Sequence, residues 1–265
     1  MPLARVVDYL NANHDLFHPR TRLGERSSYR FEQGRLTANI GTLRLRSYQV
    51  PIVDVGRGAV VARRARLRVT HPSGREQHPE SLYLHAWDGS EVIFLDRFLR
   101  TLHALEHLNR PYSAGDPLVV DVHARHVAAV PGDHGAAFEG LLAQLGLARE
   151  QIVLRLHGPH LLRDEHSQRA AISFAARGYR LLAAELPPQA TDWERLRTLG
   201  VGWASPAADA VAETLRPWLA AARDHGIATL LEADAPGSTS ERARRLGFAL
   251  AEAEQLDSRR AAWGR

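Results

Sequence analysis

Beyond residue 90 the chain alternates between two hydrophobic patterns. Short apolar runs at Leu118–Val122, Ile152–Leu156, Leu181–Ala184 and Ile227–Leu231 have the length of buried strands. Between them lie stretches whose apolar residues recur three and four positions apart. Glu91–Leu108 is the clearest, with Ile93, Phe94, Phe98, Leu102 and Leu105 on one helical face. Further helices are predicted near Gly135–Leu145, over His166–Arg177 with Gly178 as the stop, and over Trp193–Leu199. Asp209–His225, with a kink at Pro217, and Thr239–Leu246 complete the set. Strands alternating with helices imply βαβ units and a parallel sheet. The number of units fits a (β/α)8 barrel and a doubly wound sheet alike.

The preceding segment reads differently. A short helix carries Val6, Val7 and Leu10, and Tyr29–Phe31 faces Leu36–Ile40 across a turn at Gly34. From Tyr48 to Pro72 the pattern is a strand, a turn bearing Gly56 and Gly58, and a second strand. Side chains alternate along a strand, so Arg64, Arg66 and Arg68 share one face while Ala65, Leu67 and Val69 share the other. Three guanidinium groups on one face require anions, solvent or carboxylate partners.

At 265 residues and 45% hydrophobic content, the chain fits one large domain or a barrel with an appendage. All 34 basic residues are arginine, which excludes lysine-dependent chemistry such as a Schiff base. The formal charge of +4 is modest, and no RNP-type aromatics, zinc-finger spacing or helix-turn-helix accompany it, so nucleic acid is not an expected ligand. Without cysteine there are no disulfides. Met1–Leu16 lacks a signal-type apolar core and no run reaches the roughly 18 apolar residues of a spanning helix, so a cytoplasmic location without membrane insertion is expected.

Tyr48, Gln49, Pro51, Ile52, Val53 and Asp54, with Val50 inserted, resemble the Y-Q-P-I-V-D opening of the bacterial EAL domain, the cyclic di-GMP phosphodiesterase family. Ala65, Leu67, Arg68, His71 and Pro72 match the second half of that opening, E-A-L-L-R-W-x-H-P. The signature glutamate, however, falls on Arg64 and the following leucine on Arg66. Leu95-Asp96-Arg97 resembles the family's L-D-R, and Asp121 stands where a metal-binding asparagine is usual. In Gly146–Gly158 the metal-binding glutamate falls on Arg155 and a second glutamate on Gly158. Ala184 and Glu185 take the places of two aspartates, Pro187-Pro188 that of a glycine-rich loop, and Ser205 and Ala207 those of a lysine and an aspartate. Glu232 keeps its glutamate, while Ala235 replaces another.

The resemblance implies a (β/α)8 TIM-like barrel of EAL type over residues 46–257, an N-terminal extension over 1–45 and a tail over 258–265. The family reaction needs divalent metals on oxygen ligands. A guanidinium has no lone pair to offer a metal, so no metal, no cofactor and no catalysis are expected, with Mg or Mn needed only if phosphodiesterase activity survives. The expected replacement is an ion-pair cluster of Arg64 and Arg155 with Asp121, Glu185 and Glu232. Arg68 matches the arginine that contacts a ligand phosphate, so Arg68, Arg64, Arg66 and Glu232 are candidate contacts for cyclic di-GMP. The leading reading is an inactive regulatory module with a protein partner, such as a flagellar, pilus or transcriptional regulator. A non-hydrolysing cyclic di-GMP receptor and a weak or altered phosphodiesterase are the alternatives. Residues 1–46 are the candidate partner-specific element. Tyr29, Phe31, Trp87, Trp203 and Trp263 are candidates for partner contact or packing. Asp121, His123, His126, His157 and His160 cluster near two strand ends but match no strong metal signature.

Overall fold

The computed structural model describes residues 2–110, 115–132, 134–233 and 239–253. Ala235, Trp263 and the tail over 258–265 lie outside them. The chain begins with helices α1 (Leu3–Ala12) and α2 (Arg22–Glu25), then strands β1 (Ser27–Glu32), β2 (Arg35–Ile40), β3 (Leu43–Asp54), β4 (Val60–Thr70) and β5 (Glu76–Gln77). Helix α3 (Gly89–Leu108) and strand β6 (Leu118–Asp121) follow, then α4 (Ala124–Ala129), α5 (Ala136–Leu145) and β7 (Ile152–His157). Next come α6 (Gly158–Arg163), α7 (Glu165–Ala176), β8 (Arg180–Leu186), α8 (Trp193–Thr198) and β9 (Val201–Pro206). Helix α9 (Ala212–Asp224), running through Pro217, leads to β10 (Ala228–Leu231), α10 (Thr239–Leu246) and β11 (Leu250–Glu252).

Eight of these strands close a barrel in the order β3, β4, β6, β7, β8, β9, β10, β11, with β11 returning to pair with β3. The sheet is not wholly parallel, as the pattern alone implies: β3 runs antiparallel to both its neighbours. The cause is local. Asp54 Oδ1 accepts from the Gly56 and Arg57 amides at 2.9 and 2.8 Å, and Gly58 takes φ +67°, so the chain reverses directly from β3 into β4. Strand β11 was not anticipated, because three residues are too few for a period to register.

Strands β3 and β4 are longer than the barrel. One half of β3 pairs with β11, whereas its first residues, Leu43–Leu45, pair with β2. Likewise Arg63 and Arg64 of β4 pair with β6, and Val69 and Thr70 with β5. The projecting halves therefore join β1, β2 and β5 in an antiparallel flap. The expected β1–β2 hairpin is present, with Tyr29 opposite Ala38, and Gln33 and Gly34 at φ +51° and +73° form the two-residue loop such hairpins favour.

The flap and α1 cover the outer side of α3, which is buried along most of its length. Phe17 and Tyr29 pack on Phe94 and Phe98; the Tyr29 ring stacks on Phe98 at 4.3 Å and its hydroxyl donates to the Phe98 carbonyl at 2.8 Å. The line drawn at residue 45 thus falls inside β3 and inside a shared core. Within the barrel, Ile52, Ala62, Val119, Val153, Leu182, Leu230 and Leu250 form a buried apolar layer.

Candidate functional site

Two residues beyond that apolar layer, toward the strand C-termini, the same inward faces carry Arg64, Asp121, Arg155, Ala184, Glu232 and Glu252. Ser205 stands two residues past Trp203, which packs against the layer. Period-two alternation thus stacks a polar ring directly on an apolar floor. The ring lies at the C-terminal mouth, where barrel loops build binding sites.

Arg155 is the hub. Its Nε donates to Glu232 Oε1 at 2.9 Å, and its Nη2 to Glu232 Oε2 at 3.0 Å and Glu185 Oε1 at 2.9 Å. Its Nη1 donates to Asp121 Oδ1 at 3.2 Å. Arg64 donates to Glu232 Oε2 at 2.6 Å and Glu252 Oε1 at 3.1 Å, and stands 3.6 Å from Asp121. Arg66 donates to Glu252 Oε2 at 2.6 Å, which also accepts the Ala233 amide at 2.9 Å. Ser205 Oγ donates to Glu232 Oε1 at 3.0 Å. Three guanidinium groups thus face four carboxylates, a net charge of −1.

The electrostatics follow from this packing. Burial pushes the Glu232 carboxyl upward, but Arg64 and Arg155 outweigh it and hold the group well below the usual carboxylate range. Asp121 is pulled down for the same reason. Burial disfavours the charged forms of Arg64 and Arg155, yet Asp121 and Glu232 raise both above the ordinary arginine value. Arg64, Arg155, Asp121 and Glu232 are thus each held in the charged form by their partners.

Every candidate at the mouth except Arg68 joins or abuts this ring. Arg68 lies past it on the flap, half-exposed, paired with Glu76 at 3.0 Å and 5.8 Å from the Tyr48 ring centre. Ala184 is buried in the ring, and Glu185 beside it holds φ +60°, a conformation L-residues avoid. Strand β8 is irregular there, and Gly158 makes the bend fit: a Cβ on Gly158 would stand 2.6 Å from the Ala184 carbonyl. Glu252 was missed from sequence, although Leu250-Ala251-Glu252 repeats the inward-apolar, inward-acid step seen at Leu230 and Glu232.

The histidines disperse. His123 pairs with Glu80 at 3.0 Å and stacks on Tyr83, while His126 is buried beside Asp96 and Arg100. His157 and His160 meet edge to face. Among the described residues no group of three His, Asp or Glu side chains is placed to hold a metal ion. Tyr29 is core, Phe31 packs on the same core, Trp203 borders the barrel floor, and Trp87 is exposed with the Arg22 guanidinium 3.8 Å from its ring centre.

Above the ring opens a cavity of about 790 Å³. One wall is the turn Pro79–His85 with Glu80 and Tyr83; the other carries His157, His160 and Arg242.

No protein-family model matches the chain, and no curated protein matches it in sequence. Solved structures do. PaMucR phosphodiesterase in complex with c-di-GMP superposes with a TM-score of 0.67 at 15% identity, over 78% of this chain and 88% of that one. The FimX EAL domain from Pseudomonas aeruginosa bound to c-di-GMP gives 0.66 at 15% identity, over 81% and 90%. Klebsiella pneumoniae BlrP1 in its calcium and c-di-GMP complex gives 0.63 at 14%, over 94% of this chain and 63% of that one. The fold is the EAL barrel. On that fold the polar ring occupies the mouth, and its donor set does not suit a divalent metal. Both oxygens of Glu232 and of Glu252 already accept from cationic or amide donors, and the guanidinium groups have no lone pairs to coordinate with. No helix among the described residues is long and apolar enough to cross a membrane.

Proposed function

We propose that this protein is a non-hydrolysing regulatory module of EAL fold in cyclic di-GMP-related signalling, acting by binding a protein partner. The observation that supports this reading is the hub itself: Arg155 engages Asp121, Glu185 and Glu232 together. Hydrolysis of a phosphodiester in this family depends on metals that polarise the phosphate and activate water. A guanidinium stabilises negative charge but generates no hydroxide. What the barrel offers instead is a mouth whose arginines and acids are paired with one another, and an open cavity. The purified chain, incubated with cyclic di-GMP and millimolar Mg²⁺ or Mn²⁺, is expected to yield no linear product above a buffer blank. Steady metal-dependent turnover would overturn the reading.

A second reading, a cyclic di-GMP receptor, is favoured by the cavity. It remains open above the ring, with Tyr48, Arg66 and Arg242 on its walls, and all three compared proteins were solved with c-di-GMP. Arg68, the matched phosphate contact, would have to leave Glu76 to take part. Calorimetry with cyclic di-GMP separates the two readings: no heat at tens of micromolar ligand removes the receptor.

A further inference from the structure

We propose that the outer face of the flap is a docking surface for an acidic segment of a partner protein. Alternation along its strands puts Tyr29, Leu36, Ala38, Leu45 and Val69 on the buried side. The residues between them face away from α3 and are strongly basic. Arg30 lies in β1, Arg35 in β2, Arg44 and Arg46 in β3 and Arg68 in β4, all of them exposed. The same face holds two acids: Glu32, opposite Arg35, and Glu76, which pairs with Arg68 at 3.0 Å. Five arginines against two acids leave +3, on a chain whose whole formal charge is +4. Arg66, next along the face, already serves Glu252. Arg30, Arg44 and Arg46 form no ion pair among the described residues. Arg46 stands directly opposite Arg68 in the β3–β4 register, and like charges so placed repel. A bound carboxylate relieves that repulsion.

Neighbouring strands stand about 4.8 Å apart and alternate residues of one strand about 7 Å apart, a grid that several acids on one strand or helix face can meet together. Guanidinium groups take carboxylates through paired hydrogen bonds. Thr37, Asn39 and Thr70 fill the positions between, so this face offers no exposed apolar side chain to a membrane. Its one aromatic ring among the described residues, Tyr48, is half-buried near Arg68, a poor platform for stacked bases. The inference rests on the reading that the chain acts through a protein partner, and gives that partner a surface and a charge.

The test follows the fluorescence anisotropy of a labelled poly-L-glutamate peptide mixed with the full chain near neutral pH. Binding is expected at low salt and is expected to weaken as NaCl rises from about 50 to about 300 mM. Arg30→Gln, Arg44→Gln and Arg46→Gln combined are expected to weaken it tenfold or more. A control with the same change in net charge combines Arg169→Gln, Arg195→Gln and Arg223→Gln, on α7, α8 and α9, and is expected to change it less than twofold. All six side chains are exposed, so both variants are expected to unfold within about 2 °C of the native chain. No binding at low salt, or equal weakening in the two variants, overturns the inference. So does tighter binding of an oligothymidylate of the same length, or of phosphatidylserine vesicles. Each of these leaves the non-hydrolysing reading standing; metal-dependent turnover of cyclic di-GMP sinks that reading and not the flap's preference for acids.

Discussion

Glu252 is fully buried and serves two guanidinium groups at once, one on each oxygen. Replacing one partner of a buried ion pair leaves the others uncompensated in a medium that solvates them poorly. Glu252→Gln is therefore expected to cost about 3–5 kcal/mol, read from urea unfolding midpoints. Arg155 carries more contacts but stands beside half-exposed acids, Asp121 and Glu185. Its pairs with those two are screened, and most of its worth lies in the link to Glu232. At Gly158 the argument is steric. An added methyl group meets the Ala184 carbonyl and Leu186 Cδ2 at 2.6 and 2.5 Å, and the backbone cannot yield as a side-chain tip can. Gly158→Ala is expected to destabilise by about 1–3 kcal/mol, with the same unfolding measurement as the check. The glycine at this matched position thus has its own structural reason: it lets α6 start against the bend in β8 that carries Glu185.

Helix α3 is where residues 1–45 pack against the rest of the chain. Its outer face carries Phe94, Phe98 and Leu102, all without exposure, and the cover over them comes from α1, β1 and β2. A chain lacking residues 1–45 loses that cover and cuts β3, so it is expected to show no cooperative thermal transition in near-ultraviolet circular dichroism. Testing the extension as a partner element requires surface substitutions instead of truncation. The inner face of α3 makes a pH prediction. His103 is buried with Nδ1 2.7 Å from Ser47 Oγ; burial pushes its pKa down to about 4, against the weaker upward pull of Asp121 and Asp96. A folded pKa below the unfolded value near 6.5 means the unfolded chain binds the extra proton first. Its contribution is whole above pH 6.5 and is lost as pH falls toward 4. Glu232 adds a further loss below the ordinary carboxylate range, since its depressed pKa favours the folded state only while the unfolded carboxyl would also be ionised. His103→Gln is expected to flatten the stability profile between pH 6.5 and 4 while leaving the steeper acid limb unchanged. The long helix itself was legible in sequence because twenty residues repeat a helical period. Its burial on all sides was not, because the chain that covers it lies more than fifty positions upstream and periodicity carries no long-range information.

At the scale of the whole molecule, the barrel and its mouth were readable to different depths. Apolar runs located β6, β7, β8 and β10, the glycine-bearing pattern of Tyr48–Pro72 gave the β3–β4 turn, and the resemblance supplied the ring closure that periodicity leaves open. The ion-pair cluster was anticipated as a set, since Arg64 and Arg155 stand at acid positions. The geometry was not: that one guanidinium serves three acids depends on strand stagger, and Glu252 sits in a strand of three residues. The apolar layer lies directly beneath the ring, and the cavity opens above it. A tighter consequence lies in the seam between β3 and β11, which joins residues 52–54 to residues 250–252. Almost two hundred positions separate the two edges, so during vectorial synthesis β3 must hold its free edge while every other staves of the barrel is laid down. Arg64 and Arg66 wait over the same interval for Glu252. Closing a loop of that length is entropically slow, so ring closure and the pairing of Arg64 and Arg66 with Glu252 are expected to come late and together.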